Sequence, residues 1–278
     1  MGSKYLWARL EDRVAGMVSE FPGVAGVSVT SLSSPHRLNV RADEVFPSAS
    51  SIKIHILAQL FLRAEEGEVD LQKRVCVTPN MRTAGSGVLA QLDGEIEMTV
   101  ADIATLMIIV SDNTATNICI DLAGMEETNV LIQELGLRST HLRRKMQDNA
   151  AVAENRENVS TPGEMVGILE CLYNGQPSPT VAGMCFDVMK KPKSGPLKAG
   201  LPDGVQLANK TGSLENVSCD AGIAFLPRRP YAIAVMTKFG IGGPEVRQQL
   251  IANVAHLVHE TMATLDTTTD FGRGLPGL

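Results

Sequence analysis

The strand-like segments of this 278-residue chain are found near both of its ends, with a long helical stretch between them. Two valine-rich runs, residues 23–32 and 36–40, are separated by Ser33-Ser34-Pro35 and predict a hairpin. Three further strands are predicted at residues 206–210, 219–226 and 231–238. A single sheet that contains all of them must therefore be assembled from both ends of the chain.

The rest of the chain has apolar residues at helical spacing. Amphipathic helices are predicted at residues 5–21 and 244–265, and helical segments between them at 52–65, 100–110, 114–122, 126–135, 162–172 and 181–188. The predicted fold class is α+β, with an antiparallel sheet flanked by terminal helices and an inserted all-α lobe. We expect a discontinuous α/β lobe (residues 1–45 and 200–265), a helical lobe carrying the nucleophile (46–199) and a flexible tail (266–278).

Three short motifs occur in order along the chain. They are S-x-x-K at residues 50–53, S-D-N at 111–113 and K-T-G at 210–212. Each brings a hydroxyl close to an amine or amide, an arrangement that can make a serine nucleophilic without a histidine. The first motif is expected by chance about once in a chain of this length, but all three in this order are expected in less than about one chain in a thousand.

The spacing of the first motif explains how its serine could lose a proton. On a helix that begins at Ser50, Lys53 lies about 4.5 Å further along the axis on the same face, so its amine can reach the Ser50 hydroxyl. The segment around Lys53 is apolar on almost every side, which predicts a desolvated helix. Burial, together with Lys210 as a second cation, would lower the pKa of the Lys53 amine and let it accept the proton.

The order of the three motifs resembles that of class A β-lactamases and penicillin-binding proteins. The flanking sequences agree: Phe46-Pro47 precedes the nucleophile segment, residues 94–117 resemble the helix that carries S-D-N, and residues 131–142 resemble the segment after that helix. The resemblance covers roughly residues 24–260. It implies a β-lactamase-like fold and a serine nucleophile that forms an acyl-enzyme.

The resemblance also implies roles for five catalytic residues. Ser50 is the nucleophile, Lys53 and Ser111 transfer protons, and Lys210 supplies positive charge. In class A enzymes a loop between S-D-N and K-T-G carries a glutamate that activates water for deacylation, with an asparagine four residues later. Glu154 has this spacing to Asn158. Glu157 is an alternative to Glu154, and a polar surface turn at residues 153–158 is another.

Five residues are implied in substrate binding. Asn113 would hold the substrate amide, and Asn158 would share the deacylating water with the glutamate. Thr211 and Gly212 belong to K-T-G, and the backbone N–H of Ser213 would form an oxyanion hole with that of the nucleophile. The middle residue of S-D-N, Asp112, is expected to be structural.

Several features depart from the class A pattern. The chain reaches Thr161-Pro162 within four residues of Asn158, where that family usually has about a dozen. No arginine occurs at residues 214–225, where many penicillin-hydrolysing members hold the substrate carboxylate. The sequence predicts a serine hydrolase acting on a β-lactam or related cyclic amide. Two alternatives remain: a cytosolic esterase or amidase on the same scaffold, and a penicillin-binding sensor or peptidase with slow deacylation.

The composition bears on the partners, the state of the cysteines and the location of the protein. A net charge of -6 without a long basic run argues against nucleic-acid binding, and no apolar run is long enough to cross a bilayer. Five cysteines without a C-x-x-C pair are typical of reduced thiols. We expect a small-molecule substrate, no membrane or nucleic-acid partner, no cofactor and no metal, and we leave the oligomeric state open. The chain as written predicts a cytoplasmic protein, or a periplasmic or secreted one if a leader was removed.

Overall fold

Five strands form one antiparallel sheet in the computed structural model, which describes residues 3–275. The strands of the described chain are β1 (Val24–Ser31), β2 (Arg37–Val40), β3 (Phe46–Pro47), β4 (Arg74–Val77), β5 (Ile96–Thr99), β6 (Val159–Ser160), β7 (Gln206–Leu214), β8 (Val217–Phe225) and β9 (Tyr231–Lys238). The sheet has the order β2-β1-β9-β8-β7. The two ends of the chain therefore meet in its middle, where β1 pairs with β9.

The helices are α1 (Ser3–Glu20), α2 (Lys53–Glu65), α3 (Val100–Ile109), α4 (Asn113–Ala123), α5 (Met125–Glu134), α6 (Asn149–Ala153), α7 (Pro162–Tyr173), α8 (Pro179–Met189), α9 (Pro196–Ala199) and α10 (Gly243–Asp266). Short 3-10 turns lie at Ala49–Ile52, Pro79–Met81 and Leu89–Gln91. Within residues 3–275, each helix is either too short or too polar to cross a membrane. The predicted α+β fold with its split antiparallel sheet is confirmed.

The chain divides into two compact units. Unit 1 comprises the residues up to Ala49, Ser160–Glu170 and the residues from Ser194 onward, and unit 2 comprises Ser50–Val159 and Cys171–Lys193. Residues 46–49, 160–170 and 194–199, which the sequence assigned to the helical lobe, thus belong to unit 1.

The core of unit 1 lies between the sheet and the terminal helices. Helix α1 contributes Trp7, Leu10, Val14 and Val18, whose spacing of three or four residues puts them on one face. Helix α10 packs beside α1 and against β8 and β9. Strands β1, β8 and β9 are buried along almost their whole length, and the buried residues of β1 and β8 include polar ones such as Ser28, Thr30 and Asp220.

Unit 2 is organised around α2, in which every residue from Lys53 to Phe61 is buried. It packs against α4, α5 and α8, which explains why its sequence is apolar on all sides. Strands β4 and β5 form a separate antiparallel ladder, which the sequence analysis did not predict. Both strands are only four residues long and mostly of intermediate or high exposure, so their periodicity is weak.

The carboxyl-terminal segment is only partly within the described residues. Asp266 ends α10 and is buried, and its Oδ1 accepts hydrogen bonds from the backbone N–H groups of Arg228 (2.8 Å) and Arg229 (2.7 Å). Beyond it, Leu275 N–H donates to the Thr267 carbonyl at 2.9 Å. Residues 276–278 of the predicted tail lie outside the described chain.

Candidate active site

Ser50 lies in a 3-10 turn and not at the start of an α-helix. The turn spans Ala49–Ile52, and α2 begins only at Lys53, which corrects the predicted helix start at Ser50. A 3-10 turn has three residues per turn, so Ser50 and Lys53 still face the same side. Ala49 has a φ of 46°, a left-handed conformation that costs a residue with a Cβ about 1 kcal/mol. Backbone strain therefore immediately precedes the predicted nucleophile.

Lys53 is fully buried, and its amine is bonded to the S-D-N motif. Nζ donates to the Ser111 carbonyl (2.9 Å), to Ser111 Oγ (3.1 Å) and to Asn113 Oδ1 (3.4 Å). A buried amine requires such acceptors, because water cannot solvate it. The expected contact with Ser50 is not among these three bonds. Because a hydroxyl can both accept and donate, Ser111 is suited to pass a proton onward from Lys53.

Asp112 has the structural role that the sequence suggested. Its Oδ1 accepts the Ala115 N–H at 2.9 Å and so caps α4, while Oδ2 accepts the N–H groups of Val88 (2.7 Å) and Leu89 (2.8 Å). The carboxylate is buried, with 1% of the residue exposed. Gly87 makes this approach possible, since a Cβ there would lie 2.2 Å from Oδ2. Asp112 thus fixes the 83–89 segment to the start of α4.

Asn113, the first residue of α4, also contacts the 83–89 segment. Its Nδ2 donates to the Ala84 carbonyl and its backbone N–H to the Ser86 carbonyl, both at 2.9 Å. The residue is 6% exposed. Its side chain therefore links the Lys53 amine on one side to the 83–89 segment on the other.

Glu154 is exposed to solvent. Its side chain is 65% exposed and forms an ion pair with Arg156, with 2.7 Å between Glu154 Oε2 and Arg156 Nη2. Glu157 is less exposed, at 25%, and pairs with Arg144 at 2.8 Å. Both candidate carboxylates thus have an arginine partner within the same loop.

Asn158 is buried, and its side chain bonds to backbone groups of the same loop. Its Oδ1 accepts the N–H groups of Arg143 (2.7 Å) and Arg144 (3.0 Å), and its Nδ2 donates to the Arg144 carbonyl at 3.1 Å. These bonds join the two ends of the loop. The arrangement in which Glu154 and Asn158 share one water is therefore not seen: the first side chain faces solvent and the second is committed to backbone groups.

The part of this loop that reaches the S-D-N motif is the one around Met146 and Gln147. Asn117 Oδ1 accepts the Met146 N–H at 2.8 Å, and Asn117 Nδ2 donates to the Met146 carbonyl at 3.2 Å. A Cβ on Gly85 would lie 2.7 Å from both Asn113 Nδ2 and Gln147 Nε2. The sequence analysis missed Asn117, Gln147 and Gly85. A signal for Asn117 was present, because it follows Asn113 by four residues and so lies on the same helix face.

The K-T-G motif lies inside β7, in unit 1. The predicted strand at 206–210 continues to Leu214, and β7 pairs with β8 so that Thr211 is opposite Asp220. Lys210 is 1% exposed and its Nζ donates to the Thr211 carbonyl at 2.8 Å. Gly212 is buried, and Ser213 is exposed.

Asp220, on the neighbouring strand β8, lies on the same face of the sheet as Thr211. It is fully buried, its Oδ1 accepts a hydrogen bond from Asn209 Nδ2 at 2.8 Å, and its Oδ2 accepts the Leu197 N–H at 3.0 Å. Gly195 lies against the same place, where a Cβ would be 2.6 Å from Thr211 Cγ2. A buried aspartate, and no arginine, therefore stands opposite the threonine of K-T-G.

Two other buried groups near Lys53 do not compete with Ser50 as nucleophile or with Lys53 as base. Burial lowers the pKa of His55, a residue of α2, to about 4, so its buried imidazole is neutral. Burial also raises the pKa of Cys119 to about 12, although the nearby charge of Lys53 acts in the opposite direction. Neither a thiolate nor a solvent-linked imidazole is available here near neutral pH.

Comparisons with known proteins identify the family of the chain. The model of the beta-lactamase enzyme family matches residues 9–262. The beta-lactamase ROB-1 of Haemophilus influenzae is 26% identical over 264 residues, which are 92% of this chain and 85% of that protein. Among solved structures, PBP-A is 32% identical with a TM-score of 0.83, over 92% of this chain and 96% of that one. A beta-lactamase from Sphaerobacter thermophilus DSM 20745 is 28% identical with a TM-score of 0.84, over 92% and 98%.

The family match covers most of the chain, and the solved relatives share its split sheet, helical unit and overall architecture. This chain belongs to the class A β-lactamase family.

Proposed function

We propose that the protein is a serine acyl hydrolase in which Ser50 opens a β-lactam ring and forms an ester with its carbonyl carbon. The observation that carries the proposal is the buried network in which Lys53 Nζ lies 3.1 Å from Ser111 Oγ and 3.4 Å from Asn113 Oδ1. In this proposal the Lys53 amine is the general base, the Ser111 hydroxyl relays the proton and the Asn113 amide binds the substrate. Lys53 directly follows the turn that contains Ser50. No histidine is needed for such a nucleophile.

The proposed acylation proceeds in two steps. Ser50 Oγ attacks the lactam carbonyl while Lys53, once it is deprotonated, takes its proton, and a tetrahedral oxyanion forms. The C–N bond of the ring then breaks, and the proton passes from Lys53 through Ser111 to the departing nitrogen. The family resemblance implies that backbone N–H groups of Ser50 and Ser213 stabilise the oxyanion and that Lys210 supplies positive charge. Atoms and charge balance without any cofactor.

A β-lactam is the substrate class that the relatives support. Several related proteins are named beta-lactamases, and a variant of PBP-A is described as an acyl-enzyme complex with penicillin G. The missing arginine at residues 214–225 and the buried Asp220 weaken recognition of a substrate carboxylate at this strand. We therefore expect β-lactams to acylate Ser50, with carboxylate recognition contributing less than in relatives that carry the arginine.

A second candidate is a penicillin-binding protein that acylates readily and deacylates slowly. It is favoured by the placement of the carboxylates, since Glu154 is exposed and paired with Arg156 while Asn158 is committed to backbone groups. Without a carboxylate held beside the ester, water lacks a general base and hydrolysis slows by about 100-fold or more.

One experiment separates these functions. The enzyme is mixed with a chromogenic cephalosporin and, separately, with a nitrophenyl ester, while intact-mass spectrometry follows the protein. Steady cephalosporin turnover supports the hydrolase. A burst equal to the enzyme concentration with a persistent adduct supports the penicillin-binding protein. Ester turnover without any cephalosporin adduct would overturn both and indicate an esterase.

A further inference from the structure

A groove of about 500 Å³ lies between the end of α1 and the start of α10, and all of its lining residues belong to unit 1. Five of them are apolar: Met17, Phe21, Pro22, Val246 and Leu250. Phe21 and Leu250 are buried, whereas Pro22 and Val246 are exposed, so the groove presents apolar surface that solvent reaches. A volume of this size is typical of sites that bind small molecules.

The turn between β9 and α10 borders this groove. The Ile241 N–H donates to the Pro22 carbonyl at 2.8 Å, which ties the turn to the residues that follow α1. Phe239, Gly242 and Gly243 have φ values of 53°, 93° and 87°, in the left-handed region. Phe239 and Ile241 are 71% and 70% exposed, so the turn adds further apolar surface beside the groove.

The charged residues that line the groove are both acidic. Glu20 is the last residue of α1 and Glu245 lies in the first turn of α10. Within residues 3–275 neither carboxylate forms an ion pair. Arg247, two residues after Glu245, is buried and donates instead to Ser218 Oγ and to the Gly240 carbonyl, both at 3.3 Å. The groove thus carries negative charge that this arginine does not pair with.

Glu20 is also placed against the dipole of its own helix. The carboxyl end of a helix carries partial negative charge, which favours cations and disfavours carboxylates. No basic residue occurs in the last turn of α1. The remaining lining residues, Gln249 and Asn253, are neutral and bond to each other at 2.7 Å. A cation in the groove would therefore relieve an unfavourable interaction at Glu20 as well as pair with the carboxylates.

We propose that this groove is a second ligand-binding site, in addition to the candidate active site, and that it takes a small amphipathic cation. The apolar body of the ligand would lie against Met17 and Val246, and its ammonium or guanidinium group would pair with Glu20 and Glu245. Methionine suits such a site because its unbranched thioether side chain adapts to ligands of different shape. The inference goes beyond the proposed function and does not depend on it.

The test uses three probes that share a phenylbutyl body and differ in the group at its end: 4-phenylbutylamine, 4-phenylbutan-1-ol and 5-phenylpentanoate. Each is titrated into the full chain labelled with carbon-13 at the methionine methyl groups, and the methyl signals are followed by NMR. The Met17 signal, assigned with Met17→Leu, reports binding in the groove. The signal of Met107, which is buried in unit 2, is the reference.

We expect a saturable shift of the Met17 signal, with the amine bound about 3- to 10-fold more tightly than the alcohol and the carboxylate bound more weakly than either. The order follows from attraction of the ammonium, and repulsion of the carboxylate, by Glu20 and Glu245. Equal affinities for the three probes, or no Met17 shift at the solubility limit of the amine, would overturn the inference. Either result would leave the proposed function intact, because acylation of Ser50 tests that function separately.

Paired variants identify the charges responsible. Glu20→Gln combined with Glu245→Gln should bring the affinities for the amine and the alcohol to within about twofold of each other. The control combines Glu11→Gln with Glu260→Gln, which makes the same change in net charge at exposed glutamates of the same two helices that do not line the groove. The control should keep the preference for the amine. Loss of that preference in both double variants would assign it to the net charge of the protein and overturn the site.

Discussion

Asn113 and Asn117 lie one turn apart on α4 and hold two different parts of the candidate site. The first accepts a hydrogen bond from the buried Lys53 amine, and the second binds both backbone groups of Met146. Residues four apart share a helix face, so α4 fixes Lys53 and the 143–158 loop relative to each other. A single helix thus determines which part of that loop comes close to the S-D-N motif.

Ser50 should be the only covalent nucleophile. After incubation with a slow β-lactam or a fluorophosphonate, intact-mass spectrometry should show one adduct on the wild type and none on Ser50→Ala. The chain has one S-x-x-K ahead of an S-D-N, and the neighbouring His55 and Cys119 are held neutral by burial. An adduct that survives the substitution would move the nucleophile elsewhere.

Lys53 and Lys210 should differ in their tolerance of substitution. Lys53→Ala should lower the acylation rate by about 100-fold or more, because general-base catalysis is lost along with the bonds to Ser111. Lys210→Arg should lower the acylation rate less, since it keeps the positive charge. Stopped-flow acylation with a reporter β-lactam measures both. Wild-type acylation by Lys53→Ala would make this lysine a packing residue.

Glu154 and Glu157 should behave differently from what their spacing to Asn158 suggested. Glu154→Gln removes only an exposed ion pair, so turnover should change by less than about twofold and stability by less than about 1 kcal/mol. Glu157→Gln weakens a pair with the nearly buried Arg144 and should cost about 1 to 3 kcal/mol of unfolding free energy. Burst kinetics and denaturant titration measure these effects. Accumulation of acyl-enzyme in Glu154→Gln alone would restore this residue as the deacylation base.

Asp112 should matter for stability more than for chemistry. Asp112→Ala leaves the N–H groups of Val88, Leu89 and Ala115 without their acceptor, and each lost bond costs about 1 to 2 kcal/mol. We expect a loss of about 3 to 5 kcal/mol in urea unfolding. The control is Asp102→Ala, because Asp102 lies in the first turn of α3 and its bonds are exposed. Similar losses in the two variants would contradict the role of Asp112.

His55 should make the protein less stable in mild acid. Burial lowers its pKa from 6.5 to about 4 in the folded state, so between these values the unfolded chain binds more protons. The free energy of unfolding therefore falls as the pH decreases through this window, by about 2 kcal/mol between pH 7 and 5. His55→Leu should lack this component. Parallel stability profiles of wild type and variant over this range would contradict the prediction.

Most of the helices, the strands of the five-stranded sheet, the split of that sheet between the two chain ends and the position of S-D-N at the start of α4 were predictable from the sequence. These features depend on local periodicity and on short motifs, which are legible in a single sequence. Helix α2 and strand β1, for example, fall within one or two residues of their predicted limits. The roles of the catalytic residues stay predictions until the variants above are measured.

Tertiary contacts alone set which part of the 143–158 loop lies against α4. Spacing alone favoured Glu154 with Asn158, but the bonds from Asn117 to Met146 bring Gln147 to Gly85 and leave Glu154 in solvent. These contacts join residues that are about 30 to 60 positions apart in the chain, so no local pattern encodes them. They form because buried amide and carboxylate groups on α4 must find hydrogen-bond partners, and the two adjoining loops supply them.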